Sequence, residues 1–279
     1  MGKIKDSGFY TKGKDIYGRY SQKRDTVLRK AARPKEKFPD EPEKKVFAKG
    51  CGFYKLFWVF VLGSFYGDIV ETLWCRITAG EWMSRSSLVF GQFSIVWGLG
   101  CFLLTLFLHR LIGKDDRYIF LCGTLLGGAF EYLCSVFTEK VFGCIFWDYS
   151  HIPFNLNGRV NLLFCFFWGI MALVWLKIIY PWMSHGIEKI PIRFGKIMTF
   201  ILIIFFAFDI AISAAALYRM KTRAEDIPPA NWAERYVDEH FSDEWLMERY
   251  RNLKTVEHAE STFDINLGQP VTSRDDKIR

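Results

Sequence analysis

Apolar positions along the chain gather into five runs of about 20 residues, near 53–76, 87–109, 118–139, 161–183 and 196–218, with short polar stretches between them and hydrophilic segments at both ends. A run of that length makes an α-helix of about 30 Å, the thickness of a bilayer's hydrocarbon layer. Spread at core periodicity, the same residues would argue for a soluble domain; gathered in blocks, they predict an all-α polytopic membrane bundle of about five transmembrane helices. The chain then divides into a basic, mostly disordered tail over 1–50, a transmembrane domain over 51–220 and a hydrophilic tail over 221–279. In the last of these, "NWAERYVDEHFSDEWLMERY" carries acids and aromatics at the spacing of a short amphipathic helix. The first run follows about fifty hydrophilic residues and lacks the basic start and small-residue cleavage site of a signal peptide, so it is expected to stay in the mature protein.

Two of the runs repeat a pattern. "GSFYGDIVETLW" (63–74) and "GTLLGGAFEYLC" (123–134) share G-[ST]-x-x-G-x-x-x-E-x-L, which aligns Gly63, Gly67 and Glu71 with Gly123, Gly127 and Glu131. The runs that follow repeat as well: Trp97 and Gly98 in "FSIVWGL" match Trp168 and Gly169 in "FCFFWGI". The spacing predicts a duplicated two-helix unit, about 53–109 and 118–183, with a fifth helix at 196–218 and parallel copies related by an axis along the membrane normal. Positions four apart share a helix face, so each Gly pair and its glutamate form one ridge, and small-x-x-x-small ridges let helices approach closely in lipid. Gly63, Gly67, Gly123, Gly127, Trp97, Gly98, Trp168 and Gly169 are therefore the candidate packing residues.

Acids stand inside these apolar runs: Asp68, Glu71, Glu131, and Asp209 in "FAFDIAIS". A charge at a helix centre costs about 2.5–3.5 kcal/mol on insertion scales, so each needs compensation. Arg85 and Arg159, each just before a helix carrying the Trp-Gly pair, are the expected partners, in an Arg–Glu arrangement within or between the repeats. The segment "FWDYSHIPFNLNGRVN" (146–161) combines interfacial Trp147 and Tyr149 with helix-breaking Pro153 and Gly158 and turn-forming Asn155 and Asn157. It is expected to fold back over the acids, presenting Asp148, His151, Asn155, Asn157 and Arg159. Fixing helix packing, or anchoring a loop at the interface, would also account for these residues.

The net charge of +7 is concentrated in the N-terminal tail. Lys and Arg are also frequent in the 110–117 and 177–196 loops and sparse in 76–86 and 140–159, so the positive-inside rule expects a multi-pass plasma-membrane protein with a cytoplasmic N-terminus and an outer C-terminus. Arg219, Lys221 and Arg223 run against that assignment. The basic excess is read as an orientation signal and a surface for anionic lipid, with no nucleic-acid partner. Seven cysteines show no C-x-x-C pair and no His at ligand spacing; they are read as small apolar packing residues, and no metal or cofactor is expected.

"GDIVETLW", "GQFSIVWGLG", "FEYLCSVFTEKVFG" and "FWDYSHIPFNLNGRVNLLFCFFWG" together resemble the ABC-transporter type IV, or CmpB-like, family of prokaryotic membrane proteins, over roughly residues 55–218. The resemblance implies a multi-pass protein and a transporter permease component. Members commonly show a G-P-x-x-P-I-Y-G-like second helix; this chain reads "GQFSIVWG" (91–98), without the prolines that would argue for a broken helix there.

Three functions stay open on the residues. One is a transport subunit binding solute in a polar cavity near the outer face. Lacking a G-x-x-x-x-G-K-[ST] phosphate loop, it would need a separate ATPase chain on the 110–117 and 177–196 loops if ATP drives it. Another is a non-catalytic receptor, scaffold or accessory subunit, alone or in a homo- or hetero-oligomer. The third is an enzyme acting on lipid or an envelope molecule through Asp148 or His151 with Arg159 on an anionic headgroup, although no catalytic triad or metal motif is recognisable.

Overall fold

The computed structural model describes residues 45–255 and 265–266; most of the expected N-terminal tail and the end of the C-terminal tail lie outside them. Helix α1 (Phe53–Ala79), α2 (Ile95–Leu108), α3 (Asp116–Phe142), α4 (Leu162–Val174), α5 (Tyr180–Glu188) and α6 (Ile192–Ala224) make up the membrane bundle. α4 and α5 join through a π-helical turn at Trp175–Ile179 into one rod over Leu162–Glu188. Pro181, which has no N–H and crowds the preceding turn, is the local cause of that widened turn. α1, α3, the α4–α5 rod and α6 are each long and apolar enough to cross a bilayer.

The second run differs from its expectation. Its helix starts only at Ile95 and, with the 3₁₀ turn at His109–Leu111, is the shorter apolar helix of the bundle. Residues 86–94 form a loop instead, turned by Gly91 at φ 70° and knitted by Ser86 Oγ, which lies 3.0 Å from the carbonyl of Phe93 and 3.2 Å from that of Leu88. Irregular backbone among membrane helices is tolerated where protein covers it. Leu88 and Val89 are buried, Leu88 alongside Val61 of α1 and Phe206 of α6.

α1 packs most closely on α2, and α3 on α4. At one end of the bundle, Lys55 is fully buried and joins the start of α1 to the end of α5, with Nζ 2.7 Å from Glu188 Oε1 and 3.1 Å from the Ser184 carbonyl. Phe47 is buried there too, its ring 5.4 Å from that of Tyr54.

The other end carries a cap. After α6 the chain forms α7 (Trp232–His240) and α8 (Asp243–Arg249), with Asn231 and Ser242 as their side-chain N-caps. Strand β1 (Cys144–Ile145) pairs with β4 (Lys254–Thr255); β2 (Asn155–Leu156) pairs with β3 (Val160–Asn161) and β5 (Ile265–Asn266), all antiparallel. Where the sequence suggests a tail with a short amphipathic helix, Val237, Phe241, Leu246 and Tyr250 are buried together with Val89, Leu217 and Met220. Arg219 Nη2 lies 2.8 Å from Asp238 Oδ2, and Arg223 pairs with Asp238 and, at 2.5 Å, with Asp243. Two of the basic residues that opposed the orientation signal thus fasten the cap.

These guanidiniums, Arg219 first, hold the Asp238 carboxyl below its ordinary pKa. A depressed folded-state pKa contributes stability above the unfolded value, about 3.9 for Asp, that is lost as pH falls through the folded one. Hydrogen exchange over 232–255 should therefore accelerate below about pH 4 while the membrane helices stay protected; unchanged protection of the cap at acid pH would show that these pairs do not hold it.

Candidate functional site

The expected packing residues meet in two matching contacts. A Cβ at Gly67 would overlap Trp97, and one at Gly127 would overlap Trp168. A Cβ at Gly98 would lie 2.7 Å from the Phe60 carbonyl and against Ser64; one at Gly169 would lie 2.8 Å from the Phe120 carbonyl and against Thr124. Gly63 faces Cys101, and Gly123 faces Ala172. Each glutamate stands one turn beyond its glycine, next to the tryptophan that fills the gap. Trp97 Nε1 donates to Glu71 Oε2 at 2.6 Å, and Trp168 neighbours Glu131.

The arginines are arranged differently. Arg85 Nε lies 2.8 Å and Nη2 2.5 Å from Glu71 Oε1, one of the Arg–Glu pairs the sequence suggests. Arg159 instead pairs with Glu139, Nη1 to Oε2 at 2.5 Å, two turns beyond Glu131 on α3. It is 3% exposed, and among the described residues its Nε has no hydrogen-bond partner. Glu131 takes its hydrogen bond from Tyr149, OH to Oε1 at 2.7 Å. Sequence reasoning missed Glu139 because it lies outside the repeated motif; the basic and acidic side chains in and around "FTEKVFG" were its only signal.

The 146–161 segment folds back as expected, but most of its polar groups serve the loop. Trp147 Nε1 donates to the Arg159 carbonyl at 2.9 Å. Asp148 Oδ1 accepts from the Ser150 N–H at 3.0 Å. Asn155 Nδ2 donates to the Ile152 carbonyl at 2.7 Å while its Oδ1 accepts from the Gly158 N–H at 2.8 Å. Asn157 adopts φ 54°, a left-handed conformation that Asn tolerates, and forms the turn with Gly158 at φ 63°. His151 is exposed. Tyr149, like Arg159, reaches inward, and its ring stacks on Phe164 at 4.6 Å. Burial, followed by the negative charge and hydrogen bond of Glu131 and the charge of Glu71, pushes its phenol well above the ordinary range, so Tyr149 acts as a fixed donor to Glu131.

Asp68 and Asp209 complete the layer. Asp209 is fully buried; its Oδ1 accepts from the Phe90 N–H at 3.2 Å and from Ser213 Oγ at 3.3 Å. Asp68 is 1% exposed. Arg249 of the cap exerts its charge on both, and Arg85 and Glu71 act on Asp68. Among the described residues, Asp68 Oδ1, Glu131 Oε2 and Asp209 Oδ2 are buried oxygens without a hydrogen-bond partner. Ionisable side chains from α1, α3 and α6, both connecting loops and the cap thus form one polar layer at the capped end. Arg249 was not legible as part of it, because a charged residue in a hydrophilic tail has no sequence mark of returning to the bundle.

The family model described as Putative ABC-transporter type IV matches residues 58–214, more than half of the chain, and stops short of the cap. No curated protein and no solved structure matches.

Proposed function

From the premise that the chain belongs to the ABC-transporter type IV family of membrane proteins, we propose that it is a transport subunit whose solute-binding layer lies at the capped end of the bundle. The observation that carries this reading is the set of three buried carboxylates, Asp68, Glu131 and Asp209, each with an oxygen that has no hydrogen-bond partner within bonding geometry among the described residues. Helix packing alone is served by paired charges; an unpaired one inside a membrane bundle costs stability and is kept where a ligand, ion or proton completes it. The matching Gly67–Trp97 and Gly127–Trp168 contacts support the reading of α1–α2 and α3–α4 as duplicated units, so that Glu71 and Glu131 are corresponding groups.

The capped end is assigned to the outer side and the Lys55 end to the cytoplasm, where a separate ATPase chain would bind. The reading assigns no catalysis. Arg159, the headgroup holder an enzyme would need, is committed to Glu139 and Ser135. The accessory-subunit reading draws on the Arg85–Glu71 and Arg159–Glu139 pairs, which by themselves serve packing.

Affinity purification from gently solubilised native membranes should bring down a nucleotide-binding ATPase in stoichiometric amount, and a chain that repeatedly purifies alone would remove the ATP-driven permease. Metabolite profiling of cells with and without the protein should reveal a solute whose distribution depends on it. That dependence should vanish in Glu71→Gln and Glu131→Gln while both variants remain monodisperse in detergent. Retained flux in both would remove these acids from the solute path.

A further inference from the structure

The two corresponding glutamates are compensated in unlike ways. Glu71 of the first unit has a cation: Arg85 Nε and Nη2 stand 2.8 Å and 2.5 Å from its Oε1, and Trp97 Nε1 donates to its Oε2 at 2.6 Å. Both of its oxygens are satisfied. Glu131 of the second unit is 9% exposed and has one donor in bonding geometry, the neutral Tyr149 hydroxyl at 2.7 Å from Oε1. Its Oε2 is a buried oxygen without a hydrogen-bond partner among the described residues.

The arginine that would neutralise Glu131 by analogy with Arg85 is engaged elsewhere. Arg159 Nη1 lies 2.5 Å from Glu139 Oε2 and 3.4 Å from Ser135 Oγ, so it stays on the far side of Ser135, one turn along α3 from Glu131. The other groups facing Glu131 bring no positive charge: Trp168 and Cys165 from α4, and Cys134 from α3 itself. Tyr149 also feels the charge of Glu71, a second acid close by. Among the described residues no Lys, Arg or His of α2, α6, β1 or β3, the other elements packed on α3, forms an ion pair with Glu131.

An ionised carboxylate buried without a counter-ion is costly enough that such a group takes up a proton instead. A neutral carboxyl loses nothing at Tyr149, because its carbonyl oxygen still accepts from the phenol. The unpartnered Oε2 is the oxygen left to carry the proton.

We propose that Glu131 is a proton-binding site: it holds a proton on Oε2 at neutral pH, with Oε1 accepting from Tyr149, while Glu71 is ionised against Arg85. The proposal rests on the reading of the capped end as a ligand-binding layer and names the proton as what completes that layer in the second unit. Uptake or release of this proton changes the charge of the layer by one and leaves both Arg–Glu pairs in place.

The test is infrared spectroscopy of the full-length protein in lipid bilayers, with ¹³C at the glutamate side-chain carboxyls so that their bands separate from those of aspartate. At neutral pH, well above the ordinary glutamate pKa of about 4.3, one glutamate should show the carbonyl stretch of a protonated carboxyl. That band should be absent in Glu131→Gln and retained in Glu71→Gln. Tyr149→Phe, which removes only a hydroxyl, should shift its frequency because the carbonyl loses its hydrogen bond. This variant keeps the proposal testable if Glu131→Gln does not fold.

A wild-type protein whose glutamate carboxyl bands appear only on acidification toward the ordinary value overturns the proposal. So does a neutral-pH band that persists in Glu131→Gln or is unmoved by Tyr149→Phe, since it would belong to another glutamate. The band present without solute flux or a co-purifying ATPase would leave the proton site standing and remove the transport reading. Flux that depends on the protein, with Glu131 ionised at neutral pH, would do the reverse.

Discussion

Arg159→Met is expected to destabilise the detergent-solubilised protein by about 3–5 kcal/mol, the cost of leaving one member of a buried ion pair without the other. The Arg159 side chain is 4% exposed and Glu139 17%, and their nitrogen and oxygen stand 2.5 Å apart at the base of the cap. Adding Glu139→Leu to the same protein should recover most of the loss, since replacing both charges by apolar groups is often neutral. The carbonyl of Arg159 also anchors Trp147, a bond to the main chain that neither substitution removes. The measurement is thermal or denaturant unfolding of the two single variants and the double variant. A double variant as unstable as the sum of the singles would mean that Arg159 is held by something other than Glu139.

The next largest effect is expected from alanine at Gly127. Its new methyl would stand where Trp168 Cβ and Cγ already are, with Trp168 Cδ2 only 2.5 Å away. The tryptophan cannot move aside without leaving Glu131 or pushing α4 off α3. Overpacking of this kind costs about 1–3 kcal/mol and sometimes more. Gly67→Ala should behave alike, because its methyl would meet Trp97, which also donates to Glu71. Trp168→Leu should partly rescue Gly127→Ala by making room. Gly186→Ala, where no atom lies within 4 Å of the added methyl, should leave stability unchanged or slightly raise it. Yield of monodisperse protein and unfolding temperature report the order. Tolerance of alanine at both Gly67 and Gly127 would mean that the helices are not held at this separation.

The contrast between Arg85 and Arg159 illustrates what can be read from residues alone. Arg85 finds Glu71 of the preceding helix, as its place before α2 suggests. Arg159 has the corresponding place before α4, yet the longer second loop carries it to Glu139, while Tyr149 from that loop takes Glu131. A motif fixes which groups need partners; the path of an irregular loop decides which partner arrives. The same holds for Asp148 and Asn155, whose short side chains satisfy neighbouring main-chain groups before they can reach the acids.

By itself the sequence determined that this is an all-α membrane protein and which family it belongs to, and it marked the glycines, tryptophans and intramembrane acids as candidates. Each of these follows from a local quantity: the length of an apolar run, the spacing of small residues around a helix, or the presence of a charge among apolar neighbours. Only the tertiary structure decided that 86–94 is a loop and not the start of α2, that 232–255 forms a packed cap, and that Arg219, Arg223 and Arg249 return to the bundle end. Those outcomes depend on contacts between residues far apart in the chain. A polar segment with a few aromatics reads alike whether it is solvated or docked, and only the matching surface on the bundle distinguishes the two.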